Sequence, residues 1–284
     1  YGTVDDLRRR ITFEKLRGML TDVLYSMKTS EIDFYAHQFK PVLRFIEAPT
    51  NRLLIADEVG LGKTIEAGLI WTEWQAREKA RRLLIVCPPT LVPKWLRELQ
   101  DKFQFSATAG DARKLLEQLH LFNSKGSGTS FVIVTSYHAL RPFRKDRTQL
   151  NQLREGNDET APLRVEQLSP RAQLLHRIQE QGEDALQNGN RPFIDMVVFD
   201  EAHSMKNTAS ASYVVGETFS TAAGATICLS ATPIHNTSRD LYALMRLVDP
   251  EFFRDEYTFD FLRDRNQSIV KLQNALSVPD WQPE

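Results

Sequence analysis

The sequence predicts an α/β fold, a mainly parallel sheet flanked by helices. Three observations predict it. Short apolar runs of strand length recur along the chain, at residues 53–56, 83–87, 131–134, 196–199 and 225–229. They lack polar alternation, as strands covered on both faces do. Helix-forming stretches separate them, the spacing of strand–helix–strand units. Each run also ends in a polar cluster, beginning at Asp57, Thr90, Thr135, Asp200 and Ser230 respectively. Parallel strands put all their carboxyl ends on one edge, where such sheets bind ligands.

The elements follow in order. Residues 1–33 read as a helical lead-in, because Phe13, Leu16, Met19, Leu20, Val23, Leu24 and Met27 fall on one helix face. That face is expected to pack on the main domain, and could instead dock a neighbour. A helix follows from about Tyr35 to Ile46. The first strand leads through a glycine-containing turn into a helix over 65–76, which Trp71 and Trp74 should pack. After the second strand, Pro93-Lys94-Trp95 opens another helix, proline being favoured at a first turn. A helix over 111–122 and a Gly/Ser loop over 125–130 precede the third run.

Residues 141–193 are polar and show no clear strand. They read as an insertion, with one helix over 169–181. Its basic cluster Arg141, Arg144, Lys145 and Arg147 is balanced by Asp158, Glu159, Glu183 and Asp184, as on a solvated surface. An amphipathic helix capped by Ser238 spans 238–248. The expected divisions are therefore an extension at 1–33, a main domain at 34–253 and a helical or linker segment at 254–284.

Composition narrows the partners. A hydrophobic share of 42% supports a full core, and a formal net charge of −1 gives no overall basic signal. Nucleic-acid binding would have to come from a local surface. Cys87 and Cys228 both lie in apolar runs, so buried thiols in a reducing cytosol are expected rather than a disulfide. No apolar run approaches the ~20 residues that span a bilayer, and no signal peptide opens the chain. The chain begins at Tyr1 rather than Met, as expected of a piece of a longer protein.

The chemistry concentrates at residues 53–68. An apolar strand, the turn Gly60-Leu61-Gly62, then Lys63-Thr64 and a helix form the layout of a phosphate-binding loop. Glycines let backbone N–H groups turn around phosphate oxygens, and the helix N-terminus adds a positive dipole end. The loop Asp57, Glu58, Val59, Gly60, Leu61, Gly62, Lys63 and Thr64 would hold the phosphates of ATP, with Lys63 at the β- and γ-phosphates and the Thr64 hydroxyl on Mg²⁺. Asp57 stands where the strict motif has its outer glycine. Gln38, twenty-five residues before Lys63, offers a carboxamide donor and acceptor to an adenine edge. Asp200 at a strand end can hold Mg²⁺ with Thr64, and Glu201 can orient an attacking water. His203 lacks a partner His or Cys at ligand spacing, so a hydrogen-bonded link toward Ser230 or Thr232 is expected. Thr90, Lys94, Thr135 and Ser136 offer small hydroxyls, N–H groups and one cation. They suit nucleic-acid phosphate contacts without base readout.

Asp-Glu-Val-Gly-Leu-Gly-Lys-Thr at 57–64, Asp-Glu-Ala-His at 200–203 and Ser-Ala-Thr-Pro at 230–233 resemble motifs I, II and III of superfamily-two helicases. The Asp57-Glu58 prefix and residues 229–236 resemble the Swi/Snf-type double-stranded-DNA translocases, and within them the bacterial RapA-like (HepA-like) branch. Residues 85–95 resemble motif Ia, 134–140 motif Ib, and 241–250 the helix that closes the first lobe. Gln38 resembles the adenine-reading glutamine. The match covers about residues 34–253.

The resemblance implies an ATP-driven motor with two RecA-like lobes, of which this chain carries the first. It implies a bacterial or archaeal cytosolic, nucleoid-associated protein that acts on duplex DNA and has possible protein partners, with no membrane. A strand-separating RNA or DNA helicase shares Ser-Ala-Thr and Asp-Glu-Ala-His, and a non-hydrolysing nucleotide- or partner-binding module is the other alternative. After Phe253 no second strand–helix series follows and no arginine-finger motif is visible, so very slow hydrolysis by this chain alone is expected.

Overall fold

The computed structural model describes residues 24–25, 36–56, 62–155, 165–231 and 238–265. Helix α1 (Ala36–Glu47) leads to strand β1 (Arg52–Ile55) and, beyond the turn, helix α2 (Lys63–Glu78). Strand β2 (Arg82–Cys87), helix α3 (Val92–Phe103), the short strand β3 (Thr108–Ala109), helix α4 (Ala112–Lys125) and strand β4 (Phe131–Ser136) follow. Then come α5 (Arg144–Glu155), α6 (Pro170–Asn188), β5 (Ile194–Phe199), α7 (Ala211–Ala222), β6 (Ala223–Leu229) and α8 (Ser238–Val248). The strands form one sheet in the order β1-β6-β5-β2-β4-β3, and every pairing is parallel.

Alternation along the strands feeds two cores. Leu84 and Val86 of β2 and Val197 and Phe199 of β5 pack with α4, α6 and α7 on one face. Leu83, Ile85 and Cys87, with Met196 and Val198, pack with α1, α2 and α3 on the other. Successive side chains point to opposite faces, so a strand covered twice must be apolar at every position. All six residues of β2 are buried.

Capping fixes the helix starts. The Asp111 side chain accepts the N–H of Lys114, Ser169 that of Ala172 and Ser210 that of Tyr213. Pro93 stands in the first turn of α3. Cys87 and Cys228 are free thiols in the core, and Trp71 is fully buried on α2 while Trp74 packs edge-on against Phe45.

The 141–193 segment, expected as a polar insertion, contributes to the core. Its helix is longer than 169–181, running Pro170–Asn188, and it is part of the layer that covers the sheet. Ala172, Leu174, Leu175 and Ile178 are buried in the main core. The polar look of the segment comes from its outer face and from α5. Of the lead-in, Leu24 is buried in the α1–α3 core and Tyr25 lies beside Arg77; its other residues fall outside those described. Residues 256–265 are helical, and Phe259 packs with Tyr242 and Phe253. Among the described residues no helix is long and apolar enough to cross a membrane.

Candidate functional site

The sheet's register brings the expected strand ends together. Ile55 lies opposite Leu229, and Phe199 lies between Cys228 and Val86. The Ser230 N–H donates to the Ile55 carbonyl at 3.0 Å and the Asp200 N–H to the Val86 carbonyl at 2.8 Å. The residues leaving β1, β6, β5 and β2 therefore share one edge.

At that edge α2 starts from Gly62, whose φ of +97° and ψ of 34° are left-handed. No side chain caps this start, so its leading N–H groups are suited to an anion. Lys63 and Thr64 are the first two residues of α2, both half-buried. A Cβ on Gly62 would lie 2.5 Å from Gln38 Nε2. That close approach seats the Gln38 amide, 5% exposed, directly beside the turn. Asp57, Glu58, Val59, Gly60 and Leu61 lie outside the described residues, as does Thr232.

Asp200 is 7% exposed. Its Oδ1 accepts the Glu201 N–H at 2.8 Å and its Oδ2 accepts the indole N–H of Trp95 at 2.8 Å. Its carbonyl accepts the Tyr137 hydroxyl at 3.0 Å. Among the described residues no Lys, Arg or His pairs with this carboxylate, so a nearly buried charge is met by neutral donors alone. Beside it, burial and then the Asp200 charge push the Cys87 thiol up to about 12, which keeps it a neutral core group. Burial likewise raises the Tyr137 hydroxyl far above its ordinary value, so it remains a donor.

Glu201 adopts a left-handed backbone, φ 51° and ψ 50°. Its Oε2 lies 3.1 Å from His203 Nδ1, an ion-pair distance off the hydrogen-bond line. Among the described residues His203 therefore meets Glu201, two positions back across a 3-10 turn, and not Ser230, while the expected link to Thr232 lies outside the described residues. The Ser230 hydroxyl is fully buried with no hydrogen-bond partner among the described residues. Such a group forfeits about 1–3 kcal/mol unless a partner arrives.

The nucleic-acid candidates divide. Thr90 and Lys94 are exposed, and Lys94 makes only a 3.9 Å pair with Glu98. Strand β4 runs on through Ser136 rather than stopping at 134, because its parallel pairing with β2 continues to Cys87. Thr135 is thereby 1% exposed. Its side chain is withdrawn from the surface, so the expected phosphate contact is corrected. Ser136 is half-buried and caps the helical turn Tyr137–Leu140 by accepting the Ala139 N–H. Trp95 and Tyr137 were not singled out from the sequence as site residues. The signal available was that Trp N–H and Tyr O–H groups need acceptors when buried, and both sit directly behind candidate contact residues.

Residues 31–277 match the SNF2-related domain family. The chain belongs to that family. It is 31% identical over 259 residues to the RNA polymerase-associated protein RapA of Haemophilus influenzae, covering 89% of this chain and 23% of that protein. It is 28% identical over 214 residues to the uncharacterized ATP-dependent helicase YqhH of Bacillus subtilis, covering 75% of this chain and 29% of YqhH. The chain thus spans less than a third of the length of these relatives. In fold it is similar to the Sulfolobus solfataricus SWI2/SNF2 ATPase core solved with dsDNA, with a TM-score of 0.53, 18% identity, and coverage of 84% of this chain and 40% of that one. These findings make it an SNF2-type superfamily-two ATPase domain of the RapA-like branch with a RecA-like α/β fold.

Proposed function

We propose that the carboxyl edge of this sheet binds ATP with Mg²⁺ and, joined to a second lobe, hydrolyses it to drive movement along duplex DNA. One observation carries the reading. Among the described residues Asp200 is a nearly buried carboxylate met by neutral donors only, two strands from the Gly62-Lys63-Thr64 helix start. A buried charge without a counter-ion is costly. A hydroxyl and a carboxylate beside phosphate oxygens form the all-oxygen donor set that Mg²⁺ takes. Thr64 and Asp200 would hold it, and when bound it neutralises charge on the β- and γ-phosphates.

The chain's own residues supply the rest. The α2 start and Lys63 would bind phosphate oxygens. Gln38 would hydrogen-bond the adenine. Glu201, half-buried beside His203, would accept a proton from an attacking water and so orient it. The unpartnered Ser230 hydroxyl, with Thr232, would respond to the γ-phosphate, since a buried donor gains most from an acceptor that arrives. Thr90, Lys94 and Ser136 would meet backbone phosphates without reading bases. The DNA-facing activity, the second lobe, a cytosolic site of action and any protein partner belong to this proposal. The last has support in the RNA polymerase association named for RapA.

The test is steady-state phosphate release by this chain and by one extended through the following lobe. An arginine finger from the other lobe is worth about 10³–10⁵ in rate. This chain alone should therefore turn over very slowly, and the longer chain should be stimulated by duplex. Stimulation by single strands only would favour a strand-separating helicase. Brisk turnover by this chain, lost in Glu201→Gln, would show that it carries its own finger, with Arg141 to Arg147 the first candidates.

A further inference from the structure

We infer that Trp95 and Tyr137 are positioning residues that tie the nucleic-acid-facing edge to Asp200, so that duplex DNA and Mg²⁺–nucleotide bind with a shared coupling. This rests on the reading of Asp200 as a magnesium-holding group and of Thr90 and Lys94 as phosphate contacts.

The placement is specific. Two segments leave neighbouring strands at the carboxyl edge, one after β2 and one after β4. The first shows exposed Thr90 and Lys94 outward, the second begins at the half-buried Ser136, and each sends one aromatic inward. Behind exposed Lys94 stands Trp95, 2% exposed, and behind Ser136 stands Tyr137, 1% exposed. Both polar tips end on the same residue. Trp95 Nε1 donates to Asp200 Oδ2 at 2.8 Å, and the Tyr137 hydroxyl donates to the Asp200 carbonyl at 3.0 Å. With Glu201 N–H on Oδ1, the carboxylate is held from both oxygens and its backbone is held from behind. Each aromatic has one polar hydrogen and spends it on Asp200.

This geometry transmits in both directions. A phosphate seated on Thr90 and Lys94 would displace the weak Glu98 pair and pull on the first turn of α3. Trp95 is in that same turn and its ring is rigid, with two torsions only. A shift of α3 therefore reaches Oδ2 and rotates the carboxylate that is to meet the ion. A cation on Asp200 fixes the carboxylate and, through the same bond, the position of α3. Because coupling is a property of the two binding equilibria, each ligand must change the other's affinity by the same factor.

The test is a four-sided binding cycle on this chain. It uses a short fluorescent duplex and a non-hydrolysable ATP analogue with Mg²⁺. In the wild type the analogue should change duplex affinity by about 5-fold or more, within the usual span of coupled sites. Trp95→Phe keeps the ring and removes the N–H, and should bring that factor to within about twofold of one. Tyr137→Phe should lower it part-way and carries the same test if Trp95→Phe melts early. A merely structural role would lower both affinities or the melting temperature and leave the ratio alone. An unchanged ratio in both variants, or no coupling in a wild type that binds both ligands, would overturn the inference. A wild type that binds no nucleotide would instead overturn the reading of the site beneath it.

Discussion

Strand β5 carries an aspartate near each end, and the two are held in opposite ways. Asp195, at the amino edge, is 4% exposed and accepts five N–H donors: Arg81 N, Arg82 N, Arg82 Nε, Arg82 Nη2 and Arg191 Nε. Arg82 is equally buried and lies 4.6 Å over the Phe122 ring, while Arg191 also ties to the Glu78 and Lys79 carbonyls. Asp200, at the carboxyl edge, has no cationic partner among the described residues, and beside it stand a buried orphan hydroxyl on Ser230 and left-handed backbones at Gly62 and Glu201. The same strand thus ends in a closed ionic knot on one side and an incomplete electrostatic environment on the other. An incomplete site is tolerated where a ligand completes it, and the closed edge supplies the rigidity that holds it open.

Breaking the closed edge should have the largest effect. Asp195→Ala leaves Arg82 buried and unpaired, and removing one partner of a buried pair costs about 3–5 kcal/mol. Urea unfolding should show that loss. Asp200→Asn, by contrast, removes a charge with no cationic partner among the described residues and one hydrogen bond, so stability should stay within about 1 kcal/mol of the wild type while Mg²⁺-dependent nucleotide binding disappears. Equal destabilisation by the two variants would erase the distinction between the edges.

Acid should separate them next. Burial pushes the Asp195 carboxyl up, but the Arg82 hydrogen bonds, the Arg81 N–H and the nearby guanidinium charges outweigh it and hold it below the ordinary carboxylate value. A group whose value is depressed on folding stabilises the native state above its unfolded value, about 3.9 for Asp. It loses that contribution as the pH falls through the depressed one. The urea midpoints of the wild type and Asp195→Asn should therefore differ most at neutral pH and converge below about pH 4. A gap that persisted at low pH would detach Asp195 from the knot's stability.

The open edge offers a smaller perturbation. Gly62→Ala asks an L-residue to hold a left-handed conformation, at about 1–2 kcal/mol, and drives its methyl toward Gln38 Nε2. Stability should fall by that amount, and the affinity for an ATP analogue should fall further, because the turn and the Gln38 amide move together. A stability loss with unchanged affinity would separate Gln38 from the site.

How far this contrast could be read from the sequence follows from its range. The strands were legible because burial on both faces leaves apolar runs such as residues 83–87. The carboxyl edge was legible because parallel strands force Asp200 and Ser230 onto one side. The glycine turn into α2 was legible because Gly62-Lys63-Thr64 is local. Helix α6 was less so, because a helix that is apolar on one stripe only, at Ala172, Leu175 and Ile178, is diluted by its polar outer face. The Arg82–Asp195 knot and the Trp95–Asp200 bond were not legible, since each joins residues more than a hundred positions apart. Nothing local marks the partner of a buried indole or guanidinium. The approach of Glu201 to His203 was not legible either, because it depends on the left-handed backbone of Glu201.

The measurement that bears most directly on the open edge is equilibrium binding of a fluorescent ATP analogue to this chain with Mg²⁺ and with the metal chelated. The wild type should bind tightly only with Mg²⁺. Lys63→Ala should bind in neither condition, and Asp200→Asn should bind weakly and alike in both. A wild type indifferent to Mg²⁺, or an Asp200→Asn variant that keeps the full Mg²⁺ response, would contradict the assignment of the Asp200 carboxylate to the metal-bound nucleotide.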